Sequence, residues 1–375
     1  MSKEIPFIKP TFPSSNELIG DYEEIIKNNW YTNFGPFEQL LRTEIEKFVA
    51  QDVSASTVNN ATSGLLAAVL ALLGKGDGTK YIIVPSFTFV AGPQAIVWCG
   101  YKPLFVDIDA ESLQTDIMHA ERVIAEKRNE IVGVLLCNTL GVGDPMIDRW
   151  ETLCHDENLP LIIDSAAGFG SRYADGHYLG GRGDCEIFSF HATKPFAVGE
   201  GGAVISRNTQ LIAKIDSIQN FGFEKPRNAT YLGFNGKLQE VNAAIGLRQI
   251  AGYKARLESR SAVFRAYAGA FSSAEIRFQT NAENSSHFCC SIITPNRHSK
   301  ERILKSLHSS GVQARDYYNP LVSDQSYFTE NKDNAHSEGL GVSKDIASRI
   351  VSLPVHDQMA TEDILSITNI VINNL

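Results

Sequence analysis

One pattern narrows the fold more than any other. Between about residues 55 and 206, short runs that are apolar on both faces alternate with helix-like segments. Strands are expected at 81–84 (YIIV), 103–106 (PLFV), 131–137 (IVGVLLC), 160–164 (PLIID), 186–190 (EIFSF) and 202–206 (GAVIS), and helices at 62–74, 88–98, 117–127 and 146–157. A strand without a polar face must be covered on both sides, and intervening helices supply the crossovers. The alternation therefore predicts a largely parallel sheet covered by helices.

After residue 238 the pattern changes. A long helix is expected over 238–257, with Leu238, Val241 and Ile245 at helical spacing, followed by a helix at 260–272, a strand at 288–294 and a helix at 298–309. In the closing segment ATEDILSITNIVINNL, Thr361 is the expected N-cap, with acidic residues in the first turn. The expected organisation is a large α/β domain over residues 1–250 and a smaller α+β domain over 251–375. A chain of 375 residues is long enough for both.

A formal net charge of −9 and a pI near 5.5 argue against a nucleic-acid groove and against an anionic membrane surface. The start, MSKEIPFIKPTFPSS, lacks a signal-type apolar core, and no run approaches the ~18 apolar residues of a membrane helix. The six cysteines form no CxxC pair and no zinc spacing, so no metal site is expected, and they read as buried thiols of a cytoplasmic protein.

Three places can carry chemistry. In IFSFHATKPFAVGEGGAVIS, residues 187–206, Lys194 lies between two segments that both look buried. An amine among apolar neighbours is costly to charge, so it becomes nucleophilic; the plainer alternative is a lysine snorkelling to water. Asp164 closes the run LPLIID before the small-residue turn SAAGFG. Open α/β sheets collect ligands at such strand ends, although a strand-end aspartate also serves as an N-cap. The third is Asn60-Ala61-Thr62-Ser63-Gly64, which opens an alanine- and leucine-rich helix; its free amides and hydroxyls suit an anion or simple capping. By contrast GKGDGTK, residues 74–80, misses the phosphate-loop spacing and reads as a turn, and His191 is expected to pack. A lysine and an aspartate on two strand ends of one sheet are what pyridoxal phosphate (PLP) requires: an amine to bind the aldehyde, and a carboxylate to keep the ring nitrogen protonated.

With those sites in order, the chain resembles the DegT/DnrJ/EryC1/StrS family of PLP-dependent sugar aminotransferases. The resemblance runs through NNWYTNFGPFEQLLRTEIEKF, NATSGL, VPSFTFVAG, KPLFVDID, IIDSAAGFG, the Lys194 segment, GFNGKLQEVNAAIGLRQI and IVSLPVHDQM. It implies the type I fold of PLP-dependent transferases (aspartate aminotransferase-like). Lys194 would be the Schiff-base lysine, Asp164 the partner of the ring nitrogen, and Phe89 the aromatic stacked on the ring. Thr62, Ser63 and Ser189 would hold the phosphate, and Asn235 would reach the phosphate of a neighbouring subunit in a homodimer. One departure stands out: where family members place Gln or Glu three residues after the aspartate, near the PLP 3-oxygen, this chain has Ala167. Asn138 is the expected substitute.

The implied activity is amino transfer from L-glutamate to a nucleotide-linked keto sugar, a dTDP-4-keto-6-deoxyhexose by similarity of WYTNFGPF, QNFGF and NGKLQEVNAA to that group. Arg315, Tyr317 and Tyr318 are expected near the substrate. A 3-keto-sugar or aminocyclitol aminotransferase, a PLP-binding regulator without turnover, and an unrelated doubly wound binding protein are the alternatives.

Overall fold

The computed structural model describes residues 4–331, 335–337 and 339–375. Helices α1 (Ser15–Asn28) and α2 (Pro36–Val49) precede strand β1 (Ser54–Val58). Then come α3 (Ala61–Leu73), β2 (Tyr81–Pro85), α4 (Ala91–Trp98), β3 (Lys102–Val106), α5 (Ile117–Lys127), β4 (Ile131–Cys137) and α6 (Ile147–Asp156). They are followed by β5 (Leu161–Asp164), β6 (Cys185–Ser189), β7 (Gly202–Ser206) and α7 (Thr209–Ile218). A short hairpin, β8 (Phe223–Lys225) and β9 (Asn228–Ala229), leads to α8 (Glu240–Ala251) and α9 (Tyr253–Ala270). The remainder is β10 (Arg277–Phe278), β11 (Cys290–Ile293), α10 (Arg297–Ser309), α11 (Ser326–Glu330), β12 (His336–Ser337), α12 (Gly341–Arg349), β13 (Ile350–Leu353) and α13 (Thr361–Ile372).

The large sheet has the order β1-β7-β6-β5-β4-β2-β3-β12. Its strands are parallel except β7, which runs antiparallel to both of its neighbours. Most positions of β2 to β7 are buried, as expected for strands covered on both faces. Two apolar clusters do the covering. One holds Leu41, Val123, Trp150 and Tyr253; the other holds Leu65, Ile96 and Ile215. A second, antiparallel sheet, β10-β11-β13, packs with Tyr267, Ile303 and Ile367 from α9, α10 and α13.

Local chemistry sets several helix starts. Asn60 begins α3 by accepting the Ser63 N–H, Asp116 begins α5 through Met118 N–H, and Asn296 begins α10 through Ser299 N–H. Two boundaries differ from expectation. The single helix over 238–257 is two helices broken at Gly252, where a poor helix former precedes Tyr253, whose hydroxyl donates to the buried Phe169 carbonyl. The final helix is capped by Ala360, so Thr361 is its first helical residue. Division into domains at residue 250 is retained as a proposal, and two segments cross it. Ile5 exchanges backbone hydrogen bonds with Gly311 and Gln313, and β12 adds to the edge of the large sheet.

Candidate active site

The strand register builds the site. Cys137 at the end of β4 lies opposite Asp164 at the end of β5, and Asp164 lies opposite Ile187, two residues before Ser189 at the end of β6. These carboxyl ends form the floor of a cavity of about 460 Å³. The chain from β6 to β7 turns tightly above it: Ala192 donates to Gly199, and Lys194 N–H donates to the His191 carbonyl, which aims the Lys194 side chain into the cavity.

Burial drives the electrostatics. Burial pushes the Asp164 carboxyl above its ordinary value of 3.8, opposed by the Ala166 N–H on Oδ1 and by the Lys194 charge. Burial lowers the Lys194 amine from 10.5, opposed by Asp164, Cys137 and Cys289. Each of these two groups thus disfavours its own charge while favouring its neighbour's. The Lys194 Nζ also lies 4.5 Å from the centroid of the Phe288 ring.

One wall is the start of α3, with Asn60, Ala61 and Thr62 on the cavity. Strand β7 comes very close here. A methyl group on Gly202 would lie 2.5 Å from the Phe188 carbonyl and 3.1 Å from the Ala61 nitrogen, so only glycine leaves the helix start open. The opposite wall is aromatic. Tyr317 stacks on Phe288 with centroids 6.1 Å apart, and Tyr318 meets Phe87 edge to face at 5.7 Å. Phe89 stands 60% exposed at the rim, a large ring with one face free.

The profile of the DegT/DnrJ/EryC1/StrS aminotransferase family matches residues 14–372. The chain belongs to this family. It is 48% identical over 361 residues to Protein Rv3402c of Mycobacterium tuberculosis, covering 96% of this chain and 88% of that one. It is 31% identical to the dTDP-4-amino-4,6-dideoxy-D-glucose transaminase of Shigella dysenteriae, over 96% of both chains. A solved structure of a candidate PLP-dependent aminotransferase from Bacillus cereus superposes with a TM-score of 0.91 at 31% identity, covering 98% of this chain and all of that one. The type I fold expected from sequence is the fold of this DegT/DnrJ/EryC1/StrS aminotransferase.

Of the residues singled out in sequence, the fold brings Lys194, Asp164, Thr62, Phe89 and Ser189 onto one cavity. Ser63 and Asn235 are elsewhere. The Ser63 amide is spent on Asn60, and its residue is buried behind the wall; Asn235 is exposed, bridged to Asn220. Asn138 borders the cavity, yet its amide is committed. Nδ2 donates to Ser165 and Tyr173, and Oδ1 accepts the Asp144 N–H. With both donors used, Asn138 has none left for a ring oxygen, which corrects that expectation. His191, expected to pack, lines the cavity with Nδ1 on Thr193 and Nε2 3.5 Å from Glu200. Tyr317 and Tyr318 reach the cavity, whereas Arg315 lies over the Phe7 ring at 5.6 Å.

Beneath the floor is a network that sequence reasoning missed. Glu186 is fully buried, and its Oε1 accepts the N–H groups of Gly180, Gly181 and Arg182 while Oε2 accepts the Ser165 hydroxyl. It ties the 180–182 turn to Ser165, the residue after Asp164. Thr88 and Cys137 were within reach of the strand-end rule, since one precedes Phe89 and the other ends β4. Ile8 and Phe288 carry no local signal.

Among the described residues, no helix is long and apolar enough to cross a membrane, and no group of His, Cys, Asp or Glu could hold a metal ion.

Proposed function

We propose that this chain transfers the amino group of L-glutamate to a nucleotide-linked 4-keto-6-deoxyhexose, acting as a homodimer with shared sites in the cytoplasm. At the coarser level, it is a PLP-dependent sugar transaminase, as its family and its transaminase relatives are. One observation carries the finer mechanism: Lys194 and Asp164 line one cavity, Asp164 from its floor and Lys194 from the turn above, with the start of α3 as a wall.

The residues present fit the cofactor. Burial holds the Asp164 carboxyl above its ordinary value despite the Lys194 charge, and a protonated ring nitrogen would supply a further cation. The α3 start, kept open by Gly202, offers Ala61 and Thr62 amides to a phosphate, with the Ser189 hydroxyl nearby on the cavity wall. Pyridoxal phosphate supplies the electron sink that lets an amine and a ketone exchange oxidation level.

The chain's own groups do the rest. Lys194 Nζ, aimed into the cavity, would hold the cofactor at its aldehyde carbon and would be the group that an amino substrate releases. Its amine, lowered by burial, is then free to take a proton from one carbon and return it to another. Asp164 holds the ring nitrogen protonated throughout, a preorganised charge that needs no rearrangement during reaction. Phe89 covers one ring face. Ser63 secures the α3 start through Asn60, and Asn235 contacts the phosphate bound to the other subunit. Support for the 4-keto position comes from the Shigella transaminase, which is named for a sugar with its amino group at carbon 4.

The test is direct. Borohydride reduction of the PLP-loaded protein followed by peptide mapping should mark Lys194. Glutamate with a panel of nucleotide keto sugars should release 2-oxoglutarate for 4-keto-6-deoxyhexoses. A label elsewhere, or release only with 3-keto sugars, refutes the corresponding part.

A further inference from the structure

We propose that Tyr318 is a cofactor-binding residue whose hydroxyl donates to the 3-oxygen of pyridoxal phosphate, replacing the contact that Ala167 cannot make. This rests on the reading of Lys194 and Asp164 given above.

Three observations lead there. Ala167 is on the cavity wall, 7% exposed, and its methyl group offers no donor. Asn138, the nearest amide in the sequence pattern, has both donors engaged elsewhere. Tyr318 packs against the same apolar cluster that holds Ala167, Leu140 and Phe87, and both Tyr318 and Ala167 line the cavity.

Its surroundings fit the role. Burial, joined by the charges of Cys137 at the end of β4, Cys289 beside β11, Asp164 at the end of β5 and Tyr317, pushes the Tyr318 phenol well above the ordinary phenol range. The phenol therefore stays protonated and is a donor at neutral pH. Among the described residues no group hydrogen-bonds to this hydroxyl, and a phenol bordering a cavity normally finds an acceptor. The ring nitrogen and the 3-oxygen belong to one six-membered ring. A donor for the oxygen must therefore line the same cavity as Asp164, as Tyr318 does. Tyr317 stacks on Phe288 and on Tyr318 and meets Phe7 edge to face.

The experiment is a spectrophotometric pH titration of the visible lysine–cofactor band, with PLP affinity measured on the apoprotein. Wild type, Tyr318→Phe, Ala167→Gln and the double variant complete a cycle, with Tyr317→Phe as control. A hydrogen bond to the 3-oxygen stabilises its anionic form. Tyr318→Phe should thus move the titration to higher pH and weaken PLP binding, each by about 2- to 12-fold. Ala167→Gln should restore part of both in the Tyr318→Phe background. A wild-type protein with no visible band overturns this proposal together with the Lys194 reading. A normal wild-type band with Tyr318→Phe titrating as wild type overturns the Tyr318 assignment alone. So does an Ala167→Gln effect equal in both backgrounds, because independent sites add.

Discussion

Replacing Asp164 by Asn removes one buried charge and its attraction for the Lys194 amine, and because burial outweighs that attraction, its effects on the apoprotein and on the loaded enzyme should run in opposite directions. The amide oxygen can keep the Ala166 N–H bond made by Oδ1 at 3.0 Å. Changing that bond from charged to neutral costs about 1 kcal/mol. Against this, burial is the largest influence on Asp164 and holds its pKa above 3.8, so the folded apoprotein pays for the charge. Below 3.8 the carboxyl is neutral in both folded and unfolded chains. As pH rises through the raised folded value, wild-type apoprotein should lose stability, and Asp164→Asn should lack that loss. Urea unfolding of the two apoproteins at pH 5 and pH 8 measures this: the variant should match or exceed wild type at pH 8. In the loaded enzyme the same change leaves the ring nitrogen without its anion. Breaking a buried charge pair costs about 3–5 kcal/mol, which is roughly a hundred- to several-thousand-fold in turnover. A variant less stable than wild type at pH 8 by more than about 1 kcal/mol, or one within about tenfold of wild-type turnover, would refute the reasoning.

Three other outcomes are expected. Glu186→Ala orphans three backbone N–H groups and the Ser165 hydroxyl, and should cost about 4 kcal/mol or more in urea unfolding, with Glu186→Gln losing about half of that or less. Equal losses for the two would mean that the network is unimportant. Gly202→Ala places a methyl 2.5 Å from the Phe188 carbonyl and should displace the α3 start; PLP affinity of the apoprotein, read by fluorescence, should fall about tenfold or more, and unchanged affinity would remove the phosphate cradle from that helix. Mixing Lys194→Ala with Asn235→Ala subunits should restore about one quarter of wild-type turnover if Asn235 serves the partner's site, and nothing if it serves its own.

Much of this was legible before any fold was seen, and for a local reason. An apolar run covered on both faces announces itself, so the strands β2 to β7 lie within one residue of their expected bounds. Asp164 was recognisable because it breaks such a run at its carboxyl end, and Lys194 because it sits in the turn between two such runs. What failed was allocation. Asn138 looked available until Ser165, Tyr173 and Asp144 were found to occupy all of its hydrogen-bonding atoms. The break at Gly252 depends on where Tyr253 is buried, against Phe169, more than eighty residues away.

The sequence alone therefore settled the class of sheet and pointed to the two groups proposed to act on the cofactor, since periodicity and position beside a strand are properties of neighbours along the chain. Only the tertiary structure decided that β4, β5 and β6 lie side by side, that α3 points its start at their ends, and that Phe288 and Tyr318 close the opposite wall. Those facts depend on strand order and on which polar atoms are already satisfied. Both are fixed by contacts between distant segments, which no local pattern encodes.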